Sequence, residues 1–501
     1  MRSPTLQSVG NLSAFLEVRD SRGAYRAYVD GAWVDWPHQR TLAVRSPVDG
    51  SLLGNVPAMA QREIEHTFEA ARSAQPHWAA LSVSARAQIL HRAADLIAAN
   101  ASVLVPLLCR EIAKSRKDSF DEVTRSAEFL HFIADEGCRM TGEALDGGSF
   151  PGAGHFKLGV AMRVPLGVVL AIPPFNYPLN LAVTKLGPAL ISGNAVVMKP
   201  PTQGSLTAHH LVAALAAAGI PPGVLGLVTG RGSEIGELLV RHPAVSMVAF
   251  TGSTETGRAL AASAGMVPVV LELGGKDAAI VLADADLDRA ASEIVAGAFA
   301  YSGQRCTAIK RVLVVEDVAD GLAQRLADRA GKLTVGLPEQ DPVITPLISA
   351  ESADYVHGLY EDAVQRGAKP LTPWRREGNL VWPVVLDHVT ADMRVAWEEQ
   401  FGPILPMLRV RTADQATRLC NQSTFGLQCC VFTRDMDQAL HLARQVDVGT
   451  VQLNGKSARG PDNFPFLGAK GSGMGTPGAR YSIESMTRIK LIVFNPAQRA
   501  A

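Results

Sequence analysis

The sequence predicts an α/β protein with two doubly wound parallel-sheet domains. Three observations carry this prediction. Short apolar runs alternate with helical stretches from Leu166 to Gly275. The alternation resumes after Gly275 and runs to a late strand at Thr450–Asn454. Two glycine clusters, 230–236 and 250–257, lie where a strand gives way to a helix. Apolar strands separated by helices imply βαβ units and a parallel sheet covered on both faces. Such sheets bind ligands at the carboxyl ends of their strands.

The 501 residues allow two or three domains, and a chain 47% hydrophobic and 19% charged can build large cores. The net charge is zero, so nothing suggests nucleic acid or an anionic membrane as partner, and any anion site must be local. The six cysteines form no CxxC pair and no regular spacing, which reads as reduced thiols in a cytoplasmic, reducing compartment. No long apolar run follows Met1-Arg2-Ser3-Pro4, and no window is long and apolar enough to span a membrane.

In chain order, residues 1 to about 24 read as poorly ordered or loosely docked. Tyr28–Val34 reads as a hairpin turning at Asp30-Gly31. Gln61–Ala99 and Ala101–Met140 have helical spacing, and Arg125 lies in the second of these stretches. Alone, Arg125 is better explained as a solvated helix charge. Gly147–His155 is a glycine-rich break, and Lys157–Val164 looks extended. Strands follow at Leu166–Ile172, Asn194–Met198, Val224–Thr229 and Ser246–Phe250, with helices at Leu179–Ile191, Leu206–Ala218 and Glu234–Val240 between them. Beyond Gly275 come a strand at Arg311–Glu316 and helices at Ala319–Leu333 and Ser352–Arg366. Ser482–Phe494 alternates enough to be a returning strand.

Three stretches carry chemistry. Tyr301-Ser302-Gly303-Gln304-Arg305-Cys306-Thr307 sets a cysteine beside an arginine. A thiolate is the nucleophile, and a neighbouring cation or helix amino terminus lowers the thiol pKa. Leu271-Glu272-Leu273-Gly274-Gly275-Lys276 ends an apolar strand in a carboxylate, and Pro174-Phe175-Asn176-Tyr177-Pro178 puts an amide on a tight turn. Together they supply a nucleophile, a base and an oxyanion donor. Taken singly, each has a plainer reading: a buried thiol, a strand-ending carboxylate, a turn former. Either glycine cluster, with Gly230 in the first and Gly252 and Ser253 in the second, could cradle a phosphate at a helix amino terminus or merely turn the chain.

LELGGK, then GQRC, then Glu399-Gln400-Phe401-Gly402-Pro403, in this order, resembles the aldehyde dehydrogenase superfamily from about Tyr28 to Phe494. The resemblance implies an aldehyde dehydrogenase-like fold with a β-arm for oligomerisation. It implies a dinucleotide-binding domain over 1–150 and 166–275, a catalytic domain over 276–475, and an arm over 151–165 and 476–501. By the same resemblance Cys306 is the nucleophile, Glu272 activates water, and Asn176 with the Cys306 N–H holds the oxyanion. A base working near neutral pH calls for a Glu272 pKa raised by burial. Gly252 and Ser253 take the pyrophosphate, Lys199 reaches the adenine ribose, Glu399 holds the nicotinamide ribose, and Phe401 lies beside the ring. Members that prefer NAD often carry a glutamate where this chain has Thr202. A hydroxyl can donate to a 2′-phosphate that a carboxylate would repel, so NADP is the implied cofactor. No metal is implied.

Within the family, Pro200–Gly204, Ser302–Arg311 and Ala458–Phe466 look closest to the NADP-dependent, non-phosphorylating glyceraldehyde-3-phosphate dehydrogenases. Their phosphate-binding positions fall on Arg125, Tyr177, Arg305 and Arg459. Three guanidiniums and a phenol in one pocket would suit a dianionic aldehyde. The expected partners are therefore a small phosphorylated aldehyde and further copies of the chain, as a homotetramer or homodimer. Another short anionic aldehyde, or a non-enzymatic binding role on the same fold, stays open on sequence alone.

Overall fold

Five consecutive apolar residues, Val168–Ile172, form strand β1, and all five are buried. A strand covered on both faces has no solvent side to make polar, so it reads as an unbroken apolar run. The same holds for β2 (Ala195–Met198), β3 (Leu225–Leu227) and most of β4 (Val245–Thr251), while β5 (Val269–Glu272) is half-covered at its start. These five strands are parallel and lie in the order β5-β4-β1-β2-β3 in the computed structural model, which describes residues 17–36, 40–151 and 157–495. Alternate residues face opposite cores. Val169, Ala171, Val196 and Met198 pack among helices that include Asn180–Ile191 and Ser205–Ala217. Val168, Leu170, Ala195 and Val197 pack on the other side against Ile64, Phe68 and Ala71 of the helix Gln61–Ala80.

A second sheet is built on the same plan. It contains β6 (Asp277–Val281), β7 (Ile309–Val315), β8 (Val384–Asp387), β9 (Ile404–Val410), β10 (Gln428–Phe432) and β11 (Thr450–Leu453), parallel in the order β8-β9-β7-β6-β10-β11. One face packs on the helices Leu287–Phe299 and Glu316–Ala330, the other on Ala350–Gln365. The two α/β domains expected from the sequence are therefore present.

A third, antiparallel sheet of three strands joins Glu143–Asp146, Leu158–Pro165 and Thr487–Phe494. It exposes Leu158, Ile489, Leu491, Val493 and Phe494. The structure draws the expected boundaries differently in three places. The arm's first strand, Glu143–Asp146, precedes residue 151. Gly473–Met474, expected in the second domain, pairs antiparallel with β5 at the edge of the first sheet. The expected strand over Ser482–Phe494 begins only at Thr487, because Ala479–Ser485 is helical, with Ala479 and Ile483 four apart and buried against the first core.

At the amino end, residues 1–16 lie outside the described residues. The rest of the expected loose segment is docked: Val18 is buried beside Tyr25, Leu42 and Val56, and Arg19 Nη2 donates to Tyr25 Oη at 2.8 Å. Residues 152–156, which include the end of the glycine-rich break, also lie outside the described residues.

Candidate active site

The carboxyl ends of the first sheet face the amino ends of the second. β1 leads to Asn176 and Tyr177, β2 to Lys199 and Thr202, β3 to Gly230, and β4 to Gly252 and Ser253, while Glu272 is the last residue of β5. From the other side, Gly275 and Lys276 enter β6, Cys306 enters β7, and Glu399 and Phe401 enter β9. Several bonds cross the gap, two of them at the site itself. Asn176 Nδ2 donates to Gln304 O at 2.8 Å, and Arg459 Nη1 donates to Glu272 Oε1 at 2.7 Å. Between them lies a cavity of about 350 Å³ that Cys306, Glu272 and Asn176 share with Arg125, Tyr177, Arg305 and Arg459.

The loop carrying Cys306 is held in an uncommon shape. Tyr301, Ser302 and Gly303 have φ of 50°, 55° and 73°, three successive left-handed residues. Such a run persists only where the surroundings fix it. Tyr301 Oη donates to Ile112 O at 2.8 Å, Ser302 Oγ donates to Thr345 O at 2.8 Å, and Gln304 Oε1 accepts from Ile348 N at 2.9 Å. Gly303 is required twice over: a Cβ there would meet Gly402 O at 2.6 Å.

The electrostatics overturn two expectations. Burial pushes the Cys306 thiol up to about 11, against the pull of Lys310. Arg305, expected to lower it, turns away and donates through Nη2 to Gly297 O at 2.5 Å. Glu272, expected to be raised by burial, is instead held down at about 2. Burial does push it up, but Arg459, Lys185 and the Thr251 hydroxyl together outweigh that push. Thr251 Oγ1 donates to Glu272 Oε2 at 2.5 Å and Lys185 Nζ donates to the same oxygen at 3.1 Å.

The four expected phosphate-binding residues line the one cavity, but their guanidiniums are already engaged. Arg125 grips Asp462 through Nε and Nη2 at 2.6 and 2.7 Å. Arg459 pairs with Glu272, and its Nε lies 3.7 Å from Asp462. Tyr177 is half-buried beside them, with Lys114 Nζ 3.6 Å above its ring.

The expected cofactor positions line the neighbouring strand ends. Lys199 is buried, and burial alone pushes its amine down to about 8, with no acid beside it among the described residues. A Cβ on Gly232 would stand 3.9 Å from its Nζ, at the amino end of the helix Gly232–Val240. A cation set against the positive end of a helix calls for an anion between them. Those residues fit a dinucleotide phosphate, and Thr202, half-buried on the turn after Lys199, adds a hydroxyl and no negative charge. Ser253 Oγ accepts from Thr256 N at 3.2 Å and so caps the helix Thr254–Ala264. A Cβ on Gly252 would lie 2.4 Å from the Phe250 ring, so this glycine also serves packing. Glu399 Oε1 accepts from Gly275 N at 3.1 Å and forms an ion pair with Lys310 Nζ at 3.2 Å, and Phe401 meets Phe175 edge to face at 5.9 Å.

Sequence reasoning missed Lys185, Lys114, Glu122, Lys310 and Asp462. The first had a signal: it is the lone charge in the apolar helix Asn180–Ile191. Lys114 and Glu122 form a fully buried pair. Glu122 Oε1 caps the site turn by accepting from Leu179 N at 3.0 Å and Asn180 N at 3.1 Å. Nothing in the local sequence marks Asp462, whose role depends on a helix 337 positions away.

Residues 33–492 match the aldehyde dehydrogenase family. The chain belongs to that family. Among its relatives, the NADP-dependent glyceraldehyde-3-phosphate dehydrogenase of Streptococcus equinus is 51% identical over 474 residues, 95% of this chain and 99% of the relative. The enzyme of the same name from Triticum aestivum is 48% identical, covering 96% and 97%. Among solved aldehyde dehydrogenase-fold structures, the NADP-dependent glyceraldehyde-3-phosphate dehydrogenase of Bacillus halodurans C-125, complexed with NADP, superposes with a TM-score of 0.94 at 48% identity, over 95% of this chain and all of that one. The fold is thus that of an aldehyde dehydrogenase.

Proposed function

We propose that this protein oxidises glyceraldehyde 3-phosphate to 3-phosphoglycerate with NADP and water, without inorganic phosphate. One observation carries the reading: Arg125, Tyr177, Arg305 and Arg459 line the same cavity as Cys306, Glu272 and Asn176. Guanidiniums suit phosphate because their N–H groups match its oxygens in pairs. The relatives and the NADP-bound structure support both substrate and cofactor.

In this reading the Cys306 thiol gives its proton to water, with Lys310 as the cation that favours the thiolate, and the sulfur bonds to the aldehyde carbon as the carbonyl π pair moves onto oxygen. Asn176 has one amide hydrogen committed to Gln304 O and a second free for the oxyanion, beside the Cys306 N–H. NADP, when bound, supplies the hydride acceptor. Loss of hydride leaves a thioester on Cys306. Water then attacks its carbon, the C–S bond breaks, and Glu272 takes the water proton.

The test is turnover of glyceraldehyde 3-phosphate with NADP or NAD, with and without inorganic phosphate. NADPH and 3-phosphoglycerate should form at the same rate in both. A strict requirement for phosphate, or no turnover, would end the proposal. The three-stranded arm suits a homotetramer or homodimer, since its apolar edge strand has no partner on its outer side among the described residues. Ile489→Asp should then lower the mass seen by sedimentation, and an unchanged mass would exclude the arm as the contact. The reduced thiols suit a cytoplasmic setting.

A further inference from the structure

We propose that Arg459 locks Glu272 in the free protein, and that the phosphate of the substrate draws Arg459 away and frees the carboxylate to activate water. This rests on the function proposed above. It adds a specificity step to that function: the cavity rejects unphosphorylated aldehydes at hydrolysis, not only at binding.

The geometry supplies the lock. Both oxygens of Glu272 are taken, Oε1 by Arg459 at 2.7 Å and Oε2 by Thr251 at 2.5 Å and Lys185 at 3.1 Å. Thr251 lies on β4, beside β5, and Lys185 on a buried helix of the first core, so neither can leave without disturbing the core. Arg459 is different. It comes from the loop after β11, faces the cavity, and rests on the Phe466 ring at 4.7 Å. Its other acid, Asp462, is already gripped by Arg125. The charged or titratable groups facing Glu272 are therefore Arg459 from this loop, Lys185 from the helix and Cys306 from the nucleophile loop.

A carboxylate held by two cations and a hydroxyl is a poor proton acceptor, and Glu272 stands at about 2. A phosphate dianion in the cavity offers Arg459 more negative charge and more acceptor oxygens than one carboxylate does. Losing its nearest cation returns Glu272 toward the ordinary carboxylate range or above it, since burial remains. Glyceraldehyde, which lacks the phosphate, can be captured by Cys306 but leaves the lock closed.

The test follows the acyl-enzyme directly. Thioesters formed from glyceraldehyde 3-phosphate and from glyceraldehyde are quenched at intervals after mixing, from pH 5 to pH 9. In the wild-type protein the phosphorylated thioester should hydrolyse about tenfold faster or more, and its rate should inflect at a higher pH. In Arg459→Leu the glyceraldehyde thioester should hydrolyse faster than in wild type, while the KM for glyceraldehyde 3-phosphate rises. A merely structural arginine would slow both. The proposal is overturned if the two wild-type thioesters share one rate and one inflection, a comparison needing no variant, or if folded Arg459→Leu slows both. If no acyl-enzyme forms from glyceraldehyde 3-phosphate, it is the proposed substrate that fails.

Discussion

Lys114 and Asn176 are joined across 62 positions: the buried lysine amine donates to the Asn176 carbonyl at 2.7 Å. The same amine pairs with Glu122, whose carboxylate caps the two backbone N–H groups that follow the turn. It also lies 3.6 Å and 4.6 Å above the rings of Tyr177 and Tyr301. One buried ion pair thus fixes the turn carrying Asn176 and touches the loop carrying Cys306.

Lys114→Met should therefore destabilise the protein and slow it. Removing one partner of a buried pair leaves the other charge uncompensated, at a cost of about 3–5 kcal/mol. The melting temperature should fall by several degrees, and kcat should fall with it as Asn176 loses its anchor. A variant with unchanged melting and unchanged kcat would show that the pair does not position the turn.

The raised thiol makes a kinetic prediction. At about 11, Cys306 is almost wholly protonated at neutral pH in the free protein. Raising the pH converts thiol to thiolate. Alkylation by iodoacetamide should therefore quicken about tenfold per pH unit above 7 and level off near 11. Cys138 is the other exposed or half-exposed cysteine among the described residues, so the measurement belongs in a Cys138→Ser background. Lys310→Met removes the cation that favours the thiolate and should slow alkylation at pH 8. A plateau below pH 8 in the free protein would mean that the thiol is already activated.

Much of this was legible in the sequence, and the illegible part has a pattern. Strands buried on both faces announce themselves as apolar runs, so β1, β2 and β4 could be placed within a few residues. Cys306, Glu272 and Asn176 sit at strand ends and turns that the fold brings to one cavity; local chemistry suggested them, and the ordered resemblance to a known family singled them out. Their protonation was not legible. It depends on which cation reaches which carboxylate, and Arg459 meets Glu272 across 187 positions. Arg305 next to Cys306 in sequence was a misleading neighbour, because its side chain runs back to Gly297 O. The helix Ala479–Ser485 was missed because a short segment of mixed residues fits either period until its packing partner is known.

Glu272→Gln should separate the two halves of the reaction. The amide keeps the shape of the carboxylate but cannot take a proton from water. Rapid mixing with NADP and glyceraldehyde 3-phosphate should show one equivalent of NADPH, then a steady rate lowered about 10²–10⁴-fold. Loss of the burst itself would mean that Glu272 acts in acylation instead.

Thr202 tests the choice of cofactor. It follows β2 and Lys199, whose buried amine lies at the amino end of the helix Gly232–Val240. A 2′-phosphate at this strand end would meet the lysine, the helix terminus and a hydroxyl, all able to donate to it. Thr202→Glu puts a carboxylate in the same place. Two negative groups about 4 Å apart cost roughly 1–4 kcal/mol, depending on how far water screens them. The same carboxylate can accept from the free ribose hydroxyls of NAD. The ratio of kcat/KM for NADP to that for NAD should fall about ten- to a thousandfold, since about 1.4 kcal/mol is a factor of ten. Both effects act on cofactor binding, so kcat with saturating NADP should change little. An unchanged ratio would mean that Thr202 does not face the 2′-phosphate, and that NADP preference rests on Lys199 and the helix terminus alone.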